Sequence, residues 1–253
     1  MKRTLFLLLV LAAPLVHAQE GPRRFADWMV QDGKDWATSW SRDRALTAGL
    51  VVGVLVPMSL LDETILERQR DTETPSGEFL EFANNLGGSE IKFVVAGVFG
   101  ATMLTRRHRL QDAAFTSLQS MIYAYTLGSL SKRVLVGRSR PYQEKGAFDF
   151  HPFSNQNTSF PSGHATTAWA IVVPWMVYCP NPLTFGLGVL ASGTAISRLK
   201  QQQHWVTDVL AGSFLGGTMG YWLARKHQGK LPRFAQDVRA NLGPGGFAVS
   251  WTF

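Results

Sequence analysis

Residues 197–224 read SRLKQQQHWVTDVLAGSFLGGTMGYWLA, a polar stretch that gives way to an apolar one at Val209. The polar half carries Ser197 and Arg198, then His204, then Asp208. His204 and Asp208 stand four residues apart, which on a helix places them on one face, one turn from each other. A carboxylate there can accept the ring proton of the histidine, fix its tautomer and leave the other ring nitrogen free to attack. The apolar half, Val209 to Ala224, is helix-length and suited to packing in a bundle. An isolated His/Asp pair at this spacing is more often an ordinary surface pair. The rest of the chain decides between the two readings.

The same boundary between apolar helix and polar edge recurs along the sequence. Apolar segments run from Ala45 to Leu61, Phe93 to Leu104, Ala113 to Leu130, Ala165 to Cys179, Leu183 to Ile196 and Val209 to Ala224, each bounded by charged residues, Pro or Gly. They predict an all-α fold, a six-helix bundle that is membrane-embedded or membrane-associated. Ala45 to Leu61, with Pro57 near its end, is the best candidate for a membrane segment. The last residues, Gly245 to Phe253, alternate apolar positions as a lone strand does and are read as a frayed or edge-packed terminus. No internal repeat or low-complexity tract interrupts this pattern.

A chain of 253 residues can bury one full core, so a single domain is expected. Lysine and arginine outnumber aspartate and glutamate by 25 to 18, and the net +7 suits anionic partners: phosphate esters, lipid headgroups or nucleic acid. The basic residues are scattered or form short clusters such as Arg106-Arg107-His108-Arg109, with no aromatic-interleaved basic stretch, which argues against nucleic acid. Cys179 is the only cysteine and reads as a small apolar filler, so neither a disulfide nor a cysteine metal cluster is expected. His, Asp and Glu nowhere stand at metal-ligand spacing, so no metal and no cofactor are expected.

Residues 1–18 read as a secretory signal: Lys2 and Arg3, an apolar run from Leu5 to Val16, and Val-His-Ala with a cut after Ala18. A polar segment follows over 19–44, the helical domain over 45–230 with its motifs in 132–224, and a tail over 231–253. The expected location is the inner membrane with the site facing the periplasm, or the periplasm in association with the membrane. If the signal is cleaved and all six segments span, the loop with Arg106, Arg107 and Arg109 falls outside, against the positive-inside tendency. Either the N-terminus is not translocated, or some segments do not span.

Two more clusters stand at helix edges. Pro161-Ser162-Gly163-His164 opens the fourth apolar segment, with Ser162 in the N-cap region and Gly163 allowing an anion close to the backbone. His164 then lies in the first turn, placed to give a proton to a bound ester. Arg133 to Pro141 follows the third segment, and Arg133 and Arg140 are seven residues apart, two helical turns. Guanidinium groups hold phosphate oxygens bidentately and keep their charge. Each cluster alone has a plain explanation: a capped helix, or an interfacial group of charges. Together they supply a nucleophile, its orienting acid, a second histidine and several cations, the parts of a metal-free phosphoryl-transfer site.

The set resembles the signature of the type 2 phosphatidic acid phosphatase superfamily: Lys-x6-Arg-Pro, Pro-Ser-Gly-His and Ser-Arg-x5-His-x3-Asp. The second and third elements match in full. In the first, Arg133 stands where the family has lysine, with Lys132 beside it as a possible substitute. The resemblance implies that Arg133 (or Lys132), Arg140, Ser162, Gly163 and Arg198 hold phosphate, that His204 attacks phosphorus, that His164 is acid and then base, and that Asp208 orients His204. It implies hydrolysis of a lipid phosphate or diphosphate, such as phosphatidate, phosphatidylglycerophosphate, undecaprenyl diphosphate or a lipid A phosphate, through a phosphohistidine. Other readings are a soluble periplasmic acid phosphatase of small esters, a vanadium haloperoxidase, or a bundle that has kept only the scaffold. The stretch Tyr142 to Phe160 reads either as a substrate-facing loop or as an interfacial aromatic belt.

Overall fold

The computed structural model describes residues 23–38, 42–70, 77–153, 156–229, 238–243 and 246–251. Nine α-helices lie among them: α1 Arg23–Thr38, α2 Arg42–Ser59, α3 Asp62–Arg70, α4 Gly77–Asn84, α5 Ile91–Met103, α6 His108–Leu130, α7 Gly163–Tyr178, α8 Pro182–Lys200 and α9 Val206–His227. The protein is mostly helical, but the expected count of six is corrected to nine. Each of the six apolar segments lies on a helix: α2, α5, α6, α7, α8 and α9. The three additional helices occupy polar or short sequence that hydropathy passes over. Each buries only a narrow face: Phe25 and Asp32 in α1, Asp62 and Leu66 in α3, Leu80 and Ala83 in α4. Strands β1 Val238–Gly243 and β2 Gly246–Trp251 pair antiparallel with Val238 opposite Trp251, so the alternating tail is half of a hairpin and not a lone strand. The expected signal at 1–18 lies outside the described residues.

The core is built on α7, which packs most extensively against α9 and α6. Three glycines one turn apart on α9 make the α7–α9 contact possible. A Cβ at Gly212 would stand 2.4 Å from the Ser162 carbonyl oxygen, one at Gly216 2.1 Å from that of Thr166, and one at Gly220 2.9 Å from Pro174 Cδ. The backbones therefore touch, and the matching order of these contacts shows that α7 and α9 run parallel. α6 runs antiparallel to both. The Ser120 hydroxyl donates to the Ala170 carbonyl at 2.5 Å and Ser117 to that of Ile171 at 2.6 Å, while Gly128 lies against Pro161 and Thr166. The C-terminal ends of α6 and α8 thus meet the N-terminal ends of α7 and α9.

α1 is fastened across the other end of the bundle. Asp32 receives Lys226 Nζ at 2.7 Å, Gln119 Nε2 at 2.8 Å and lies 2.8 Å from His227 Nε2, and Trp28 stacks on the His227 ring. No single described helix is both long and apolar enough to cross a bilayer, although Ala45–Ser59 and Asp62–Gln69 pass that test together, bent by 59°. α2 and α5 nevertheless expose wide apolar faces, with Leu50, Val52, Val54 and Val56 on the first and Phe93 and Val94 on the second.

Candidate active site

The phosphate-suited groups gather where those four helix ends meet. Ser162 caps α7, and its backbone N–H donates to the Asp208 carbonyl in the first turn of α9 at 2.9 Å, tying the two helix starts together. His164 lies in the first turn of α7, Arg198 in the last turn of α8, and His204 in the link to α9. Arg140 stands at the start of a short 3-10 turn, Pro141–Gln143, with its guanidinium on Gln203 Oε1 at 2.5 Å and Thr158 Oγ1 at 3.4 Å. Arg198 donates to Gln201 Oε1 at 2.7 Å and reaches Asn84 Oδ1 at 3.4 Å. The Arg198 Nε and the Ser162 hydroxyl are buried with no hydrogen-bond partner, and such orphaned polar atoms call for a ligand.

The first cluster departs from expectation in register. α6 continues into a π-helical turn, Ser131–Val136, closed by Gly137 at φ +58. A π turn spends an extra residue, so the chain reaches Arg140 one residue late and the cation eight positions before it takes the inward place. Lys132 Nζ donates to the Thr158 carbonyl at 3.1 Å and would lie 3.5 Å from a Cβ on Gly163. Arg133 is exposed, and together with Lys132, Thr158 and Gly163 it lines a cavity of about 180 Å³ beside the histidines. Only glycine fits at 137, because a Cβ there would sit 1.8 Å from the His151 carbonyl oxygen.

His204 is 1 % exposed. Its Nδ1 lies 3.8 Å from Asp208 Oδ2, too far for a direct hydrogen bond, and 3.4 Å from Ser159 Oγ, which itself donates to Asp208 Oδ2 at 2.5 Å. Ser159 therefore bridges histidine and carboxylate, and Nε2 is the ring nitrogen that these contacts leave uncommitted. Asp208 Oδ2 also accepts the Trp205 N–H at 2.9 Å, so the same carboxylate caps α9. Its Oδ1 accepts Arg138 Nη1 at 2.8 Å, and Arg138 Nη2 holds Asp62 Oδ2 at 2.7 Å. Asp62, Arg138 and Asp208 are all fully or almost fully buried, an ion triad in which removing one partner typically costs about 3–5 kcal/mol.

Burial lowers the His204 ring to about 4 against the opposing pull of the facing Asp208 carboxylate, with Lys132 and Arg140 adding to the fall. Burial also lowers His164 to about 3, reinforced by Arg198, His204, Lys132 and Arg140. Lys132 falls to about 8 for the same first reason, followed by its neighbour Arg140. Burial pushes the Asp208 carboxyl up, but the His204 ring and the Arg138 guanidinium outweigh it and hold the group below the ordinary carboxylate value. The pocket is thus a concentration of positive charge with two neutral imidazoles, and a phosphate dianion would offset the repulsion among its cations. Among the described residues no group of three His, Cys, Asp or Glu could hold a metal ion.

Sequence reasoning did not find Asp62, Ser159, Asn84 or the role of Arg138. Arg138 stood inside the quoted basic run, and Ser159 two residues before Pro161. Asp62 directly follows the apolar run Ala45 to Leu61, and nothing local connects it to a partner 76 residues away.

Fold and site together define a helical-bundle protein with a histidine-centred anion pocket at one end. The chain belongs to the PAP2 superfamily, whose family model matches residues 113–232. It is 32 % identical over 139 residues to decaprenylphosphoryl-5-phosphoribose phosphatase of Mycobacterium tuberculosis, covering 54 % of this chain and 72 % of that protein. It is also 32 % identical over 102 residues to lipid A 1-phosphatase of Rhizobium etli, covering 39 % of this chain and 43 % of that protein, so it spans less than half the length of that relative. The crystal structure of a transmembrane PAP2-type phosphatidylglycerolphosphate phosphatase from Bacillus subtilis superposes with a TM-score of 0.57 at 24 % identity, covering 77 % of this chain and all of that one, which shows a shared fold.

Proposed function

We propose that this chain is a metal-independent phosphatase acting on a lipid phosphate or diphosphate through a phosphohistidine on His204. The observation that carries the reading is the convergence of Lys132, Arg140 and Arg198 on a pocket where the Ser162 hydroxyl and Arg198 Nε lack partners beside two neutral histidines. With the phosphoryl oxygens held by these groups and the Gly163 backbone, His204 Nε2 forms a bond to phosphorus as the bond to the leaving oxygen breaks. Protonated His164, its ring charge favoured once the dianion is bound, gives its proton to that oxygen. His164, now neutral, takes a proton from water, whose oxygen displaces Nε2 and releases inorganic phosphate. Asp208 balances the positive charge on the phosphorylated ring.

The lipid assignment draws on the substrates named for the two relatives and on the exposed apolar faces of α2 and α5, which suit contact with a bilayer. The proposed location is the periplasmic side of the inner membrane, with the protein membrane-associated. Arg106 and Arg107 precede α6 and Arg109 lies in its first turn, and the 23 residues of that helix put them roughly 34 Å from the Lys132 end at ~1.5 Å per residue, so those arginines are not part of the phosphate site.

Purified protein in detergent is expected to hydrolyse a lipid monophosphate or isoprenoid diphosphate at least about tenfold more efficiently than p-nitrophenyl phosphate, equally well in excess EDTA. A preference for the soluble ester would replace the lipid reading with that of a broad acid phosphatase. Loss of activity in EDTA with rescue by a divalent ion would overturn the mechanism.

The register of the first cluster has its own test. Lys132→Ala is expected to cut kcat/KM by roughly 100-fold, as loss of a charged transition-state contact does, and Arg133→Ala by less than about tenfold. The reverse ranking would return the role to Arg133.

A further inference from the structure

We infer that Asp62 and Arg138 are positioning residues for the histidine chemistry: Arg138, anchored by Asp62, fixes the Asp208 carboxylate behind His204 and sets how much negative charge that ring meets. The inference rests on the phosphatase reading of the site. Arg138 is held at every nitrogen. Nε donates to the Ala147 carbonyl at 2.8 Å, Nη1 to both Thr207 Oγ1 and Asp208 Oδ1 at 2.8 Å, and Nη2 to Asp62 Oδ2 at 2.7 Å. Asp62 is held as firmly, by the Thr207 N–H at 3.0 Å and the Thr207 hydroxyl at 2.5 Å. With Oδ1 occupied by the guanidinium, Asp208 can turn only Oδ2 toward Ser159 and the His204 ring.

The charges give this arrangement a direction. Asp62, Arg138 and Asp208 sum to one negative charge, buried on the side of His204 away from the pocket. The groups that face the ring from the other elements are Lys132 at the end of α6, Arg140 in the following loop and His164 on α7, which itself stands beside Arg198 of α8, and none of them is an acid. Attack on phosphorus places one positive charge on the ring, which the buried set then neutralises. Without Asp62, Arg138 cancels Asp208 and the ring charge is opposed. Without Arg138, the ring faces two uncompensated carboxylates. A packing role predicts neither effect.

The experiment compares the wild type with Asp62→Asn, Arg138→Gln and Arg138→Lys, measuring kcat and kcat/KM against pH with a phosphate ester, the His204 ring titration by NMR, and thermal melts. The wild-type acid limb is expected near pH 4, where His204 takes up its proton. Asp62→Asn should move the limb and the ring titration lower, and Arg138→Gln should raise both by about one pH unit or more. Arg138→Lys keeps the charge but not the fork, so the limb should stay in place while kcat falls roughly 10- to 100-fold at nearly constant KM. Shifts of the same sign in the first two variants, or lower melting temperatures with unchanged limb and ring titration, would overturn the relay. If Asp62→Asn does not fold, Arg138→Gln against Arg138→Lys still separates charge from geometry. Opposite NMR shifts in Asp62→Asn and Arg138→Gln, found while the wild type hydrolyses no phosphate ester, would sink the phosphatase reading and leave the relay standing.

Discussion

His204→Ala is expected to lower kcat by at least about 10⁴-fold, some 5.5 kcal/mol of barrier, and to abolish any acid-labile phosphoenzyme. The ring is almost wholly enclosed and its Nδ1 side is committed to Ser159 and Asp208, so the attack proposed for this ring falls to Nε2. The alanine leaves Lys132, Arg140, Arg198 and the α7 start in place, so phosphate binding should survive within a few-fold. The collapse is therefore expected in kcat, with little change in KM. Rapid-quench labelling with a radioactive phosphate ester reads the covalent step directly. Ordinary labelling in the alanine variant would remove His204 as the attacking group, and a loss confined to KM would make it a binding residue.

Gly216→Val is expected to be the most destructive change outside the pocket. The new Cβ would lie 2.1 Å from the Thr166 carbonyl oxygen and 2.9 Å from the Ala170 nitrogen, both backbone atoms of α7 that cannot rotate away. Relief requires α7 and α9 to separate, at a cost of roughly 3 kcal/mol or more and a fall in melting temperature of roughly 10 °C. The same movement draws Ser162 and His164, at the start of α7, away from His204 and Asp208, at the start of α9. Activity should therefore fall even in the folded fraction. Gly217→Ala, whose Cβ would meet only Val173 Cγ2 at 3.9 Å, is the matched control and should be neutral or slightly stabilising. A Gly216→Val protein that melts and turns over like the wild type would show that the helices are not held as closely as described.

Local features were legible because they depend on spacing within one element. His204 and Asp208 share a helix edge, Ser162 and His164 open one, and six apolar runs each lie on a helix. The three missed helices are legible only through what they pack against: α1 exposes Asp27 and Lys34 to solvent, and it folds onto α6 and α9 through Phe25, Trp28 and Asp32. The glycine ladder on α9 was present in the sequence, but its meaning depends on which helix lies opposite.

By itself the sequence determined that the protein is helical, that three charged clusters sit at helix edges, and that two of them carry a histidine. The tertiary structure set how the two adjacent cations are presented, turning Lys132 onto the Thr158 carbonyl and leaving Arg133 exposed, because a π turn changes the facing by a residue and spacing arithmetic assumes an α-helix. It also decided that Asp62, Arg138 and Asp208 form one buried ion triad behind His204. Contacts between residues as far apart as 62 and 138 depend on where folded helices come to rest, and no periodicity along the chain encodes that.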